Sequence, residues 1–224
     1  MTSLLPHIGR VLCLGDSITY GWGTGAVLRP YPERLQDALL ARDNAGWSVY
    51  NRGVSGDTTT GALGRWNNGT FAGGVQEEEP LRTLPPSFEG GWSTVVLLIG
   101  INDVIAGAPD TSIVANITTL AADALSLGAR VAVCSLSPWK GFASWTAGKQ
   151  AVQDSVRTQL QAWAAADPAS RAFVDVYAAL GDLGDAQVLN PALSSGDFLH
   201  PNDAGATVIE ATVLAALDAA GFTA

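Results

Sequence analysis

The stretch Val11-Leu12-Cys13-Leu14-Gly15-Asp16-Ser17 decides the fold. Its four leading residues are apolar without alternation. Such a run reads as a strand buried on both faces, which is how a parallel strand looks when helices cover its sheet. It breaks at a glycine, an aspartate and a serine, where the chain must leave the strand. Four more runs share this character, at residues 48–51, 95–99, 131–136 and 173–176. Helical patterns fall at 31–43, 112–127, 147–165 and 203–220. The last places Val208, Ile209, Val213, Ala216, Leu217 and Ala220 on one face, with Asn202 where an N-cap belongs and Gly221 where the helix must stop. Strand and helix in alternation predict an α/β fold of three layers, α/β/α, around a flavodoxin-like five-stranded parallel sheet with helices on both faces.

The 224 residues fit a single domain spanning 1–224, for no linker, repeat or low-complexity tract divides them. An apolar fraction of 47% against 15% charged residues suits a globular core. Two stretches break the rhythm. Residues 65–91, rich in Gly and Pro, read as a long surface loop or small insertion; Glu77-Glu78-Glu79 within it reads as a solvated edge and not a metal site. Residues 137–146 carry Pro138, Trp139, Phe142 and Trp145 just after the fourth strand.

Twelve basic and twenty-one acidic residues give a net charge of -9, with neither a basic run nor a basic face. This argues against nucleic acid or anionic lipid as a partner. No stretch reaches membrane-spanning length without charges or glycines, so no membrane insertion is expected. Residues 1–10 lack a basic segment followed by an apolar core, which makes a cytoplasmic location the expectation. Cys13 and Cys134 lie inside strands and read as buried free thiols. Neither a CxxC pair nor any metal-ligand spacing is present, and no metal or organic cofactor is expected. Oligomeric state leaves no signal in the sequence.

The chemistry converges on a few residues. One of the two histidines sits in Gly196-Asp197-Phe198-Leu199-His200-Pro201, ahead of the last helix. Ser17, Asp197 and His200 are the three groups an acyl-transfer site needs: a nucleophile, a base to take its proton, and a carboxylate to fix the imidazole tautomer. In an open parallel sheet, ligands bind beyond the carboxyl ends of the strands where strand order reverses. For strand order 2-1-3-4-5 that point lies between strands one and three. Ser17 follows strand one and Gly100-Ile101-Asn102-Asp103 follows strand three. Asn51-Arg52-Gly53 borders the same crevice.

The arrangement resembles the SGNH hydrolases, also called GDSL-type lipases and esterases. Their four blocks are matched in order at Gly15-Asp16-Ser17, at Gly53, at Gly100 with Asn102, and at Asp197 with His200. A lone Gly-Asp-Ser is a weak signal; four ordered blocks behind predicted strands are a specific one. The resemblance implies Ser17 as nucleophile, His200 as general base and then acid, and Asp197 as the group orienting the imidazole. It implies an oxyanion hole from the backbone N–H groups of Ser17 and Gly53 and the side-chain amide of Asn102. A glycine at 53 lets the main chain approach a substrate oxygen, and an amide donates without a proton to lose. His200 must be neutral to act as a base, so activity should fall in acid.

Each residue has a blander role beside this one. Serine caps turns and helices, Gly53 suits a tight turn, and Asp197 suits a loop cap; the matching blocks tip all three toward chemistry. Asp103 reads as a structural Asx-turn, Asp16 as a turn residue, His7 as incidental, and Asn51 as a hydrogen-bonding tie for the second block. The glycine run 21–25 reads as a wall beside Ser17, since it lacks the Lys-Ser/Thr ending of a phosphate loop. No Gly-x-Ser-x-Gly elbow is present, which argues against an α/β-hydrolase.

The expected reaction is hydrolysis of a small-molecule ester, with a short acyl chain, through an acyl-serine. Tyr20, Trp22, Ile101, Val104, Trp139, Phe142 and Trp145 are candidate substrate-binding residues, each equally readable as ordinary core or an oligomer contact. A carbohydrate O-acetyl esterase and an acyltransferase are alternatives on the same site. A glycan-binding module with lost catalysis is the non-enzymatic alternative, and a flavin binder would need the missing phosphate loop.

Overall fold

The computed structural model describes residues 9–25, 29–43, 46–69, 80–83 and 91–223. In chain order the elements are β1 (Arg10–Gly15), α1 (Ser17–Tyr20), α2 (Tyr31–Asp43), β2 (Ser48–Gly53), α3 (Thr59–Asn68), β3 (Thr94–Leu98), α4 (Ile101–Ala106), α5 (Asp110–Ser126), β4 (Arg130–Cys134), α6 (Ala147–Ala165), β5 (Arg171–Val174), α7 (Val176–Leu180) and α8 (Asp203–Ala219). The five strands form one sheet in the order β2-β1-β3-β4-β5, and every neighbouring pair is parallel. This is the three-layer α/β/α architecture expected from the apolar runs.

Period-two alternation divides each strand between two cores. Leu12, Leu14, Val95, Leu97, Val131 and Val133 face the layer that holds α3, α5 and α6. Val11, Cys13, Val96, Leu98, Ala132 and Cys134 face the layer of α2, α7 and α8. Both cysteines are free and buried, and burial pushes both thiols far up from their ordinary value. They pack as small hydrophobes.

The long helices keep their expected places, and Asn202 caps α8 by accepting from the Gly205 N–H at 3.0 Å. One expectation needs correction. Arg65 to Asn68, read as the start of a loop, form the last turn of α3. Gly61, Gly64 and three threonines around its start give this helix weak intrinsic propensity. Its formation rests on packing: Trp66 is buried and donates from Nε1 to Asp123 of α5 at 2.7 Å. Leu81 is buried in the same core, and its N–H donates to the Arg65 carbonyl. Glu77-Glu78-Glu79 and His7 lie outside the described residues.

A buried ion pair holds the carboxyl edge of the sheet. Arg65 and Asp57 are both wholly inaccessible, with Arg65 Nη2 2.6 Å from Asp57 Oδ2. The guanidinium also donates to the carbonyl of Arg52 at 2.9 Å and to that of Gly15 at 3.2 Å. One side chain therefore ties together the ends of β2 and β1. Removing one member of such a pair leaves a buried charge without compensation. Arg65→Met should lower unfolding free energy by about 3–5 kcal/mol in urea titrations; a loss under about 1 kcal/mol would mean that the clamp does not hold the edge.

Asp16, the N-cap of α1, is buried and accepts from the Ile18 N–H at 2.9 Å. Burial raises its carboxyl from 3.8 to about 7, with the Ile18 N–H opposing and the nearby Asp57 and Asp103 carboxylates adding to the rise. Between those two values the folded chain holds a proton that the unfolded chain has lost. This contribution to stability is complete below about pH 4 and disappears as pH rises through about 7. Asp16→Asn keeps the capping oxygen and should flatten that decline. Urea unfolding of both proteins from about pH 4 to about pH 8 tests this, and parallel stability curves would refute it.

Candidate active site

Ser17 is the first residue of α1, immediately beyond β1. Its N–H belongs to the first turn, where a helix supplies no acceptor of its own. Ser17 Oγ lies 2.9 Å from His200 Nε2, across a sequence separation of 183 residues. His200 Nδ1 lies 2.5 Å from Asp197 Oδ2. With Nδ1 protonated and donating to that carboxylate, Nε2 is left as the acceptor for the serine hydroxyl. The three groups predicted from sequence are thus in one hydrogen-bonded line.

The loop that carries the histidine is tightly determined. Asp197 Oδ1 accepts from the N–H groups of Leu199 at 2.9 Å and His200 at 2.8 Å. Burial alone would raise this carboxyl. The His200 N–H, the imidazole and the Leu199 N–H outweigh that and hold it below the usual carboxylate range, so Asp197 is ionised at neutral pH. Between Asp197 and His200, Phe198 adopts φ 64°, a left-handed conformation that a bulky side chain rarely accepts. Strain of this kind persists only where surrounding contacts over-determine it. Here the Ser195 N–H donates to the His200 carbonyl at 2.9 Å, and the Asn202 amide donates to the carbonyls of Ala192 and Ser194.

Gly53 ends β2 directly against α1. A Cβ at this position would lie 2.1 Å from the Tyr20 nitrogen, so no other residue fits. Its N–H donates to Asn51 Oδ1 at 2.9 Å, and Asn51 Nδ2 donates in turn to Glu33 Oε1 at 3.2 Å. Asn51 thus ties its own block together, as expected. Asn102, on the first turn of α4, spends one amide hydrogen on the Asp57 carbonyl at 2.8 Å. Its second amide hydrogen is left for another acceptor. Asp103 is structural, though not through an Asx-turn: it accepts from the N–H and hydroxyl of Thr59 at 2.9 and 2.8 Å, binding α4 to α3.

The aromatic candidates divide. Tyr20 and Trp22 are 45% and 56% exposed at the mouth of the site. The Trp22 ring lies 6.2 Å from the His200 ring, centroid to centroid. Gly23, at φ 92°, fits closely against His200, so the glycine run does form a wall of the site. Phe142 and Trp145 are half-buried against the core. Ile101, Val104 and Trp139 are a correction, for all three are sealed in the core and offer no surface to a ligand. Their apolarity serves the packing of α4 and the loop after β4 on α5 and α6.

Sequence reasoning missed Asp57, Arg65, Glu33 and Phe198. A charged pair eight residues apart, bracketing a glycine-rich run, was the available signal for the first two. Among the described residues no helix is long and apolar enough to cross a membrane.

Comparison with known proteins agrees with the fold. No curated protein is similar to the chain in sequence at a significant level. Several solved structures share its fold. A catalytic mutant of an acetylxylan esterase from Geobacillus stearothermophilus aligns with a TM-score of 0.70 at 21% identity, covering 93% of this chain and 94% of the other. A GDSL-like lipase from Bacteroides thetaiotaomicron gives 0.64 at 22% identity, covering 94% and 88%. A lipolytic protein of the G-D-S-L family from Veillonella parvula gives 0.66 at 19%, covering 93% and 98%. The model of the GDSL-like lipase/acylhydrolase family matches residues 13–208, from inside β1 to beyond His200. The chain belongs to the GDSL-like lipase/acylhydrolase family and is an ester hydrolase of the SGNH type.

Proposed function

We propose that this ester hydrolase cleaves short-chain carboxylic esters through an acyl-serine intermediate on Ser17. The observation that carries the reading is the unbroken line from Ser17 Oγ through His200 to Asp197, at 2.9 and 2.5 Å. His200 Nε2 takes the hydroxyl proton as Oγ attacks the ester carbonyl, and Asp197 stabilises the resulting imidazolium. The proton then passes from Nε2 to the departing alcohol. A water, deprotonated by the same nitrogen, releases the acid and restores Ser17.

Charge develops on the carbonyl oxygen in both steps. In this reading the second amide hydrogen of Asn102 and the N–H groups of Ser17 and Gly53, the last released from Asn51 Oδ1, donate to it. Supporting a short acyl group, the apolar side chains of Ile101, Val104 and Trp139, which would line a channel for a long one, are sealed in the core.

Hydrolysis of p-nitrophenyl acetate, butyrate and octanoate by the wild type and Ser17→Ala tests the reading. Turnover should favour acetate and collapse to background in the variant. Equal rates in both proteins would overturn it. Asn102→Ala should lower kcat by about 10²–10³ if its amide meets the oxyanion, and wild-type turnover in that variant would remove the role.

A further inference from the structure

Beside Gly53 the chain opens a cleft of about 340 Å³, lined by Tyr20, Pro30, Glu33, Asn51 and Gly53. It lies on the β2 side of the nucleophile. Tyr20 follows Ser17 by one turn of α1, and its backbone nitrogen packs on Gly53. The cleft therefore shares Gly53 and the end of α1 with the proposed catalytic site. None of the proposed catalytic steps uses Glu33 or the Tyr20 ring.

The walls restrict the occupant. Glu33 sits exposed in the first turn of α2 and accepts from Asn51 Nδ2 at 3.2 Å to Oε1 and 3.4 Å to Oε2. An ionised carboxylate offers about four lone-pair sites, so Glu33 keeps capacity to accept more hydrogen bonds. Its negative charge opposes an anionic ligand, and the net charge of -9 adds to that opposition. An acyl chain is a poor occupant as well, because it would strip water from the carboxylate without a hydrogen bond in return. A neutral alcohol bearing further hydroxyls satisfies both conditions. Its O–H groups donate to Glu33, and its C–H face rests on the ring of Tyr20 and on Pro30.

We infer that the Tyr20–Glu33–Asn51 cleft is a subsite for the alcohol portion of the ester, with Glu33 selecting neutral, polyhydroxylated leaving groups. The inference rests on the serine-esterase reading, since it places the leaving group beside Ser17. A site built to bind a hydroxyl discriminates against an analogue that lacks it, because the site's polar group is then left unpaired.

The test measures kcat/KM for two acetate esters, a methyl pyranoside mono-acetate and p-nitrophenyl acetate, whose leaving group has no further hydroxyl. Wild type, Glu33→Ala and Glu33→Gln are compared, with Ser17→Ala as background. The ratio of pyranoside ester to aryl ester should fall about tenfold in Glu33→Ala through loss of charge-assisted hydrogen bonds. Glu33→Gln should recover part of it, since the amide oxygen still accepts. A ratio unchanged in Glu33→Ala, or a wild type that cleaves the aryl ester through Ser17 but not the pyranoside, would overturn the subsite and leave the esterase standing. Absence of any Ser17-dependent hydrolysis would overturn both.

Discussion

The structure of the site depends on one buried ion pair. Arg65 and Asp57 have no access to water, where a lone charge would be prohibitively costly. Each must be met by fixed partners, and those partners are the site's own scaffolding. The guanidinium accepts no substitute for the carbonyls of Gly15 and Arg52. The residues just beyond these carbonyls are Asp16 with Ser17, and Gly53. Through its carbonyl, Asp57 also fixes Asn102. Ser17, Gly53 and Asn102, the proposed nucleophile and oxyanion donors on three separate strand ends, are thus referred to one rigid pair. Replacing such a pair with apolar side chains can leave stability unharmed. What apolar side chains could not do is point three loops at one atom.

The opposite wall is built differently. His200 is carried by the loop ahead of α8, and its neighbour Leu199 is buried in the same core as Trp66 of α3. Its loop is held by backbone hydrogen bonds and by a left-handed Phe198. Arg34 of α2 pairs with Asp203 at the start of α8, at 2.8 Å, and so keeps that loop in register with the glycine wall. Exposed pairs of this kind add little to stability. The Ser17–His200 bond therefore joins the end of β1 to the loop ahead of α8, across 183 residues of sequence.

Much of this was legible. Continuous apolar runs revealed parallel strands because burial on both faces leaves no polar alternation to mislead. Asn202 was readable as a cap because capping uses a local side chain and a local N–H. Ser17 and Asn102 were readable because their short motifs follow strand ends, and Asp197 and His200 because they sit three residues apart just ahead of the last helix. The helix α3 was not, because glycines and threonines mask a helix that forms through the burial of Trp66 and Arg65. Neither were the fates of Ile101, Val104 and Trp139, since an apolar side chain beside a site looks the same in sequence whether it faces ligand or core. Glu33 escaped because its meaning comes from Asn51, a neighbour only once α2 packs against β2.

Gly53 is tied within its own strand end. Its N–H is one of the proposed oxyanion donors, and a donor left unpaired away from water is costly. In the structure Asn51 Oδ1 accepts from that N–H at 2.9 Å. In the proposed mechanism a negatively charged oxygen competes for that hydrogen, and a charged acceptor binds it more strongly than an amide carbonyl does. The net gain is still smaller than from a donor with nothing to exchange. Asn102 has such a donor, because the Asp57 carbonyl fixes its amide through one hydrogen and leaves the other free. On the proposed mechanism the three donors are unequal: Asn102 would contribute most per hydrogen bond, and Gly53 matters first as the residue without a Cβ that lets β2 reach α1.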